Sequence, residues 1–505
     1  MTETKKTQFP VRSVLFVSSE VYPYAKTGGL ADVSSALPQA LREYKHDVRI
    51  IMPKYGFIGE KKQKIHIINR TQGMEFNIGG KMATVNAKSS AILTPKTRVQ
   101  IYLAECEEYF SRMGLYGDPD TGVDYPDNDE RFLTFNLGVL ELCRRLLWKP
   151  DIIHCNDWQS GLIPLLLKDS LKTDPFFANT KTVFTIHNLA YQGNFPAQSY
   201  MKTGLPAEYF SPNGVEFYEK FSFLKAGLTY ADAITTVSET YAEEIRTKEF
   251  GCGMEGLLTK RKKDLYGITN GIDMAVWDPM KDVYTAKKFN VDSIESKEEC
   301  KKDLCSAFDL PYEEGKPIVA MIARFVPQKG VDLVLENIEH LLKSGAQIIM
   351  LGSGDKKYEE AFSKLQKKHA KQFALYLGFH DGFAHKIEAG ADIFLIPSAY
   401  EPCGLNQMYS MHYGTIPVAR RTGGLADTVI DLDEGTKKKP ATGFLFDKYD
   451  AKSFAKALDR ALATYHKHPE KWRELQRNGM TSDFSWDNSA YKYAEVYEKV
   501  LAKKD

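Results

Sequence analysis

The sequence has almost no net charge, because 67 basic and 66 acidic residues give a formal charge of +1. A chain without a basic excess lacks the electrostatic face that general nucleic-acid binders use, so we exclude that class. No apolar run approaches the length of a membrane-spanning helix, which argues against an integral membrane protein. The start of the chain, Met1–Pro10, is polar and has no apolar segment typical of a secretory signal.

Cysteines are few, and their spacing suits neither disulfides nor zinc. Seven are scattered along the chain without a C-x-x-C pair, which is typical of reduced thiols. A P-loop motif and the H-E-x-x-H motif are also missing. These absences predict a cytoplasmic protein without a zinc site. The sequence carries no signal of oligomeric state.

Short apolar segments alternate with helix-like periodicity along most of the chain. Apolar segments of this kind are typical of parallel strands buried on both faces. They form two series, which for 505 residues favours two doubly wound α/β domains. The predicted strands are Val14–Val17, Val48–Met52, Ile152–His154, Val183–His187, Ile234–Val237, Ile318–Ile322, Ile348–Leu351, Ala374–Leu377, Ile393–Ile396 and Ile416–Ala419.

Other segments predict the rest of the architecture. Leu30, Val33, Leu37 and Leu41 have helical spacing, and the alternation over Glu75–Leu103 predicts a hairpin inserted in the first domain. Turn residues place the domain boundary within Gly267–Asp278. The stretch Asp487–Lys504 has the pattern of an amphipathic helix.

One six-residue motif occurs twice, as Thr27-Gly28-Gly29-Leu30-Ala31-Asp32 and as Thr422-Gly423-Gly424-Leu425-Ala426-Asp427. No longer repeat surrounds it, so a chance match is the alternative. The functional interpretation is that each domain has a glycine-rich turn that opens a helix. Such turns present backbone N–H groups to anionic or hydroxyl-rich ligands.

Polar residues follow the predicted strands where ligands of doubly wound domains bind. Arg324 and Lys329 follow one strand, and Glu401 follows another. Two cations at this edge would stabilise a diphosphate leaving group without a metal, so we predict a nucleotide-sugar site. Each of these residues has an alternative interpretation. Arg324 and Lys329 would be solvated surface cations, and Glu401 would cap the helix that follows it. His187 would be a hydrogen-bonded core histidine, and Asp157 would cap the helix near Gly161.

Three Asp-x-Asp pairs, the kind used by metal-dependent sugar transferases, lie in turn-rich stretches. We interpret them as turn formers. They are Asp118–Asp120, Asp127–Asp129 and Asp431–Asp433.

At this point the motifs resemble one family, the bacterial glycogen synthases and plant starch synthases, over nearly the whole chain from Val14 to about Tyr497. The stretches that carry the resemblance are Lys26-Thr27-Gly28-Gly29-Leu30, Asp157-Trp158, His187-Asn188-Leu189, Asn270-Gly271-Ile272-Asp273, Glu401-Pro402-Cys403-Gly404-Leu405 and Arg421-Thr422-Gly423-Gly424-Leu425-Ala426-Asp427.

The resemblance implies the GT-B fold: two Rossmann-like doubly wound α/β domains that face each other across a deep cleft. It implies an acceptor-side domain over residues 1–268, a nucleotide-sugar-binding domain over 269–480 and, over 481–505, a helix that returns to the first domain. The implied activity is retaining transfer of glucose from ADP-glucose to the non-reducing end of an α-1,4-glucan. UDP-glucose is the less favoured donor, and no cofactor or metal is expected.

The resemblance also implies roles for individual residues. The implied catalytic residues are His187, Arg324, Lys329 and Glu401. The implied donor-binding residues are Lys26, Gly28, Gly29, Asn270, Gly352, Phe379, Cys403, Gly404, Leu405, Thr422 and Gly423. The implied acceptor-side residues are Asp32, Tyr116 and Asp157.

One position departs from the pattern of many retaining GT-B enzymes, which carry Glu-x₇-Glu at this loop. The second position here is Tyr409, as we expect of the glycogen and starch synthase branch. Three other functions stay open at this point. They are a GT-B transferase with another acceptor, a non-enzymatic glucan-binding scaffold, and a phosphorylase that would need a pyridoxal phosphate lysine.

Overall fold

A computed structural model of the protein describes residues 9–503. Most of Met1–Pro10, on which the prediction about a secretory signal rests, lies outside the described residues. So does Lys504, the last residue of the predicted C-terminal helix. The chain divides into two compact units. Unit 1 comprises the chain up to Val237, Ala242–Asn270 and the chain from Trp486 onward, and unit 2 comprises Ser238–Tyr241 and Gly271–Ser485.

The strands of unit 1 precede those of unit 2 along the chain. In unit 1 they are β1 Ser13–Val17, β2 Asp47–Pro53, β3 His66–Ile67, β4 Met74–Ile78, β5 Lys81–Leu93, β6 Arg98–Glu105, β7 Ile152–Asn156, β8 Lys181–Ile186, β9 Asn194–Pro196, β10 Glu216–Phe217, β11 Lys220–Ser222, β12 Ala233–Thr236 and β13 Leu265–Gly267. In unit 2 they are β14 Ile318–Ile322, β15 Gln347–Gly352, β16 Phe373–Leu377, β17 Ile393–Ile396, β18 Ile416–Arg420 and β19 Phe444–Phe446.

The α-helices connect these strands. They are α1 Gly29–Glu43, α2 Glu107–Phe110, α3 Asn128–Leu146, α4 Ile163–Lys168, α5 Phe223–Tyr230, α6 Glu239–Glu244, α7 Glu255–Lys260, α8 Lys297–Ala307, α9 Val331–Glu336, α10 Ile338–Lys343, α11 Lys356–Lys368, α12 Asp381–Gly390, α13 Asn406–His412, α14 Gly423–Thr428, α15 Ala451–Lys467, α16 Pro469–Thr481 and α17 Trp486–Leu501. None of the helices within residues 9–503 is both long and apolar enough to span a lipid bilayer.

The main sheet of unit 1 has a doubly wound core. Seven strands run parallel in the order β6-β2-β1-β7-β8-β12-β13, so the order reverses between β1 and β7. The central strands are buried on both faces, which explains why they contain apolar runs without polar alternation. Each predicted strand of this unit is present, with its ends shifted by a few residues at most.

The predicted hairpin over Glu75–Leu103 is only partly right. The alternating segments form β4, β5 and β6, and β5 pairs antiparallel with β6. However, β6 also pairs parallel with β2, so the segment extends the main sheet and is not a separate insertion. The alternation arises because one face of β5 is buried while the other is partly exposed.

Unit 2 contains a second doubly wound sheet. Its six strands are all parallel in the order β16-β15-β14-β17-β18-β19, with the reversal between β14 and β17. Helices α9, α10 and α15 contribute buried apolar side chains to a core on this sheet. Both units therefore have the strand order of a nucleotide-binding α/β fold.

The C-terminal helix α17 belongs to unit 1, and buried polar contacts hold it there. The Tyr497 hydroxyl lies 2.7 Å from Nδ1 of His154 on β7, and Nε2 of His154 lies 2.6 Å from Oγ1 of Thr185 on β8. Near the chain start, Arg12 forms a two-point ion pair with Glu498. The predicted amphipathic helix over Asp487–Lys504 is thus confirmed up to Leu501, where α17 ends.

We expect Tyr497→Phe to lower the free energy of unfolding by about 1–2 kcal/mol, because it leaves the buried His154 ring without one of its partners. Urea titration of the full chain measures this change. Tyr491→Phe is the matched control, since Tyr491 lies on the same helix and makes ring contacts rather than hydrogen bonds. Equal stability of the two variants would contradict the assigned importance of the Tyr497–His154 contact.

Candidate active site

The reversal of strand order places predicted residues at the carboxyl edge of each sheet. In unit 1, β7 ends at Asn156 and is followed by Asp157. In unit 2, β14 is followed by Arg324, and Glu401 follows β17. Ligands of open α/β sheets bind at carboxyl ends where the order reverses. Each unit therefore carries polar side chains where its own fold favours a ligand.

His187 lies directly after β8, in contact with the end of β7. Its Nε2 is 2.8 Å from Oδ1 of Asn156, and its backbone N–H donates to Oδ1 of Asp157 at 2.8 Å. Burial lowers the pKa of His187 to about 3, so the ring is neutral at physiological pH. Nδ1 has no hydrogen-bond partner among the described residues and can meet a ligand.

Asp157 has an unusual backbone and a carboxyl group that titrates near neutrality. Its φ is +54°, in a region that few residues other than glycine adopt. Burial raises the pKa of Asp157 to about 7, although backbone N–H groups of His187 and Asn188 oppose the shift. The alternative that Asp157 caps the following helix is wrong, because its side chain makes no capping bond there.

Glu20 organises the loop before α1, although no role for it was predicted from the sequence. Its buried carboxylate accepts hydrogen bonds from the backbone N–H and the hydroxyl of Thr27, at 2.5 and 2.6 Å. It also accepts from the Tyr116 hydroxyl at 2.7 Å. Glu20 thus joins two predicted site elements, the glycine-rich turn and Tyr116. A carboxylate three residues beyond a buried strand was the available signal.

Lys26 and Gly28 of the same turn lie near solvent. Lys26 forms an ion pair with Asp32 at 2.7 Å, and the two side chains are 42% and 28% exposed, so the pair adds little stability. No atom lies within 4 Å of where a Cβ of Gly28 would stand. The turn is open on this side, and Gly29 begins α1.

In unit 2, Lys329 and Glu401 form an ion pair. Nζ of Lys329 lies 2.7 Å from Oε2 of Glu401, which also accepts from the Ser398 hydroxyl at 2.9 Å. The alternative that Glu401 caps the next helix is wrong, because α13 begins at Asn406 without a side-chain cap. The pair instead holds the lysine ammonium near the carboxyl end of β17.

Arg324 is exposed just beyond β14. Its guanidinium makes no hydrogen bond or ion pair with any residue in the described part of the chain. A free guanidinium can bind an oxyanion through two parallel hydrogen bonds. Arg324 and Lys329 are thus two cations that follow β14 in unit 2, and Lys329 is paired with Glu401.

The second copy of the six-residue motif packs tightly against the Glu401 loop. Gly423 has φ +44°, and a Cβ on it would stand 2.0 Å from the Glu401 carbonyl oxygen. The Gly424 N–H donates to the same oxygen at 3.1 Å. Both copies open a helix, as predicted, but the unit 2 glycines permit close backbone packing while Gly28 faces open space.

The remaining predicted residues lie at strand ends and turns. Phe379 is 73% exposed after β16, which leaves its ring free to stack on a flat ligand. Cys403 is buried and Gly404 has φ +70°. Other predicted positions are Gly352 at the end of β15, Leu405 before α13, Thr422 before α14, and Asn270, which is buried with no partner for Oδ1 among the described residues.

Tyr409 packs in an aromatic stack. Its ring lies 4.0 Å from that of Trp277, which in turn lies 3.9 Å from His385. Tyr409, which stands where many retaining GT-B enzymes carry the second glutamate of Glu-x₇-Glu, is therefore part of the aromatic packing of unit 2.

The Asp-x-Asp pairs only partly match the predicted turns. Asp118–Asp120 lies in a turn and Asp431–Asp433 at a short 3₁₀ turn, but Asp129 lies in the first turn of α3, where it pairs with Lys202. Asp118 accepts from the backbone of Asp120 and Thr121, and Asp431 accepts from Asp433. Within residues 9–503 no three His, Cys, Asp or Glu side chains are grouped to hold a metal ion. A G-x-G-x-x-G match at residues 251–256 follows a helix, not a strand, so it lacks the dinucleotide-binding context.

Comparisons with known proteins agree with this arrangement. The protein-family model of the starch synthase catalytic domain matches residues 13–260, and the family model of glycosyl transferases group 1 matches residues 306–479. A glycogen synthase of Syntrophotalea carbinolica is 44% identical over 97% of this chain and 99% of its own. Glycogen synthase 2 of Geobacter sulfurreducens is 43% identical over 96% and 98%.

Two solved structures share the fold. The catalytic domain of starch synthase IV from Arabidopsis thaliana, bound to ADP and acarbose, matches with a TM-score of 0.89 and 33% identity over 98% of this chain and 100% of that one. Sucrose-phosphate synthase from Thermosynechococcus elongatus matches over 97% and 99% with a TM-score of 0.59 and 18% identity, which shows a common fold only.

Proposed function

Because the chain belongs to the glycogen and starch synthase family of GT-B glycosyltransferases, we propose that it elongates an α-1,4-glucan with glucose from ADP-glucose and retains the α configuration. The observation that carries the proposal is the pairing of Lys329 with Glu401, together with Arg324 on the same loop, whose guanidinium has no partner among residues 9–503. Two cations and a carboxylate at one sheet edge suit a sugar diphosphate, whose anionic and hydroxyl groups need both kinds of partner.

In this proposal the donor binds to residues 269–480. Arg324 and Lys329 hold the diphosphate and stabilise its charge as it leaves, while Glu401 accepts hydrogen bonds from the glucose. Cys403, Gly404, Leu405, Thr422, Gly423 and Gly352 shape the donor loops, and Phe379 stacks on the base. ADP is preferred in this proposal, and the Arabidopsis relative was solved with ADP.

The acceptor meets residues 1–268 in the same proposal. Asp157, Tyr116 and Asp32 lie on the acceptor side, and His187 contacts the glucose near the reacting carbon. Lys26, Gly28, Gly29 and Asn270 also bind the donor in this proposal. The segment 481–505 returns to the first domain in this proposal, and its helix α17 belongs to unit 1. The cytoplasmic location expected from the sequence stays a prediction.

Retention follows from attack on the face from which the phosphate leaves. The acceptor hydroxyl oxygen forms the new bond to the anomeric carbon as the bond to the diphosphate breaks. The departing phosphate oxygen takes the hydroxyl proton, and ADP leaves. The cations Arg324 and Lys329 stabilise the leaving group, so this chemistry needs no metal.

We expect glucose from labelled ADP-glucose to enter glycogen in the presence of a chelator, with much less from UDP-glucose. Proton NMR of the product measures the configuration of the new linkage, which should be α. Preference for UDP-glucose would overturn the proposed donor. Loss of transfer in the presence of chelator would overturn the metal-free mechanism. Absence of transfer from either donor would overturn the proposed function.

A further inference from the structure

The orientation of the Asn156 amide is fixed by its surroundings. Asn156 is fully buried at the end of β7. Its Nδ2 lies 2.9 Å from the carbonyl oxygen of Val17 and 3.3 Å from that of His154. Carbonyl oxygens only accept hydrogen bonds, so the NH₂ group must face them, and a flipped amide would place oxygen against oxygen. Oδ1 therefore points toward His187.

This orientation decides which nitrogen of His187 carries the proton. Oδ1 of Asn156 is 2.8 Å from Nε2 of His187, and because an amide oxygen cannot donate, Nε2 must bear the hydrogen. The neutral ring has one N–H, so Nδ1 keeps a lone pair. Nδ1 has no partner among residues 9–503.

Burial, rather than a neighbouring charge, keeps the His187 ring neutral. The low pKa of His187 arises from burial. Asp157 accepts the backbone N–H of His187, and the buried His154 lies two residues before Asn156 on β7. Glu20 is close enough to Asp157 to raise its pKa. None of these groups makes a side-chain hydrogen bond to the His187 ring.

We infer that Asn156 is a positioning residue that fixes His187 as the Nε2–H tautomer, so that Nδ1 accepts a hydrogen bond from a hydroxyl group of the sugar. The inference rests on the proposed function, in which His187 contacts glucose. A lone pair at Nδ1 selects a hydroxyl donor and repels a phosphate oxygen. His187 thus recognises the sugar, while Arg324 and Lys329 bind the phosphates.

The tautomer can be read directly without substrate. In the full chain labelled with [¹⁵N]histidine, two-bond ¹H–¹⁵N spectra report the protonated nitrogen of each ring, and the signal lost in His187→Gln identifies His187. We expect the Nε2–H pattern, unchanged between about pH 5 and 9. A Nδ1–H pattern or a mixture of tautomers in the wild-type protein would overturn the inference.

Asn156→Ser tests whether the amide imposes this state. We expect the ring to exchange between both tautomers, and kcat/KM to fall about 10–100-fold, as for other residues that orient a ligand-binding histidine. Asn179→Ser is the matched control, because Asn179 is exposed just before the amino end of β8. An unchanged Nε2–H pattern in Asn156→Ser would contradict the inference.

A double-mutant cycle separates positioning from a general structural effect. His187→Asn places an amide near the position of Nδ1, so its hydrogen bonding no longer depends on Asn156. Adding Asn156→Ser to His187→Asn should then lower kcat/KM less than about threefold. An equal loss in both backgrounds would overturn the inference. If the wild-type protein transfers no glucose, the proposed function fails, but the tautomer spectrum still reports on Asn156.

Discussion

Lys329→Ala should lower the turnover number about 10²–10³-fold while changing the KM for glycogen little. A cation that stabilises charge only as the diphosphate departs acts on the transition state, and removing one such donor has an effect of this size. Steady-state kinetics with ADP-glucose and glycogen measures both constants. Lys343→Ala is the matched control, since Lys343 is an exposed lysine of unit 2 at the end of α10. Near-normal turnover in Lys329→Ala would remove Lys329 from the mechanism.

The ion pair with Glu401 complicates this test, because Lys329→Ala leaves a buried carboxylate without its cation. Lys329→Ala combined with Glu401→Gln removes that charge and its cost. If Lys329 acts on the leaving group, the double variant is at least as slow as Lys329→Ala, since Glu401→Gln also weakens the proposed contact with glucose. Recovery of turnover in the double variant would instead mean that the lysine only neutralises Glu401.

Strand ends were the part of the site that the sequence predicted well. Buried parallel strands have a strong apolar signal, and the polar residues that follow them lie at one sheet edge whatever their separation in sequence. Asp157 therefore lies at the carboxyl edge of unit 1 and Arg324 at that of unit 2, as predicted. Contacts between site residues could not be predicted from the sequence, because the pairing of Lys329 with Glu401 depends on loop conformations.

Residues that act through buried contacts were missed. Asn156 directly precedes Asp157 in the sequence, but its partners Val17 and His187 lie on β1 and directly after β8, so its role requires the strand order. Glu20 binds Tyr116, which is distant in the sequence. The strands β13 and β19 were missed because each has three residues, too few to show a pattern.

Glu388→Gln should remove a pH dependence of stability that the wild-type protein has. Glu388 is fully buried on α12, where Oε2 accepts from the Ser410 hydroxyl on α13 and Oε1 has no partner among the described residues. Burial raises the pKa of Glu388 to about 8 from 4.5. Between these values the folded state binds a proton that the unfolded state releases, so stability falls as pH rises.

The neighbouring lysine titrates in a different range. Nζ of Lys297 lies 2.7 Å from both the Ala389 carbonyl oxygen and the Thr415 hydroxyl, and burial lowers its pKa from 10.5 to about 8. For Lys297 the unfolded state binds more protons between these values, so its effect on stability lies above about pH 8 and has the opposite sign. Measurements between about pH 5.5 and 7.5 therefore separate the effect of Glu388 from that of Lys297.

Over that interval the free energy of unfolding of the wild-type protein should fall by about 2–3 kcal/mol relative to Glu388→Gln, because one proton changes stability by about 1.4 kcal/mol per pH unit. Urea titrations at both pH values give the difference, in which the other titrating groups cancel. Glu336→Gln, on the exposed face of α9, should keep the wild-type dependence. Parallel pH profiles for Glu388→Gln and the wild-type protein would mean that Glu388 is ionised in the folded state. A neutral Glu388 instead lets α12 and α13 pack without a buried carboxylate charge. Helix α12 follows the segment with Phe379 and α13 follows the segment with Glu401, and both segments are proposed to bind the donor.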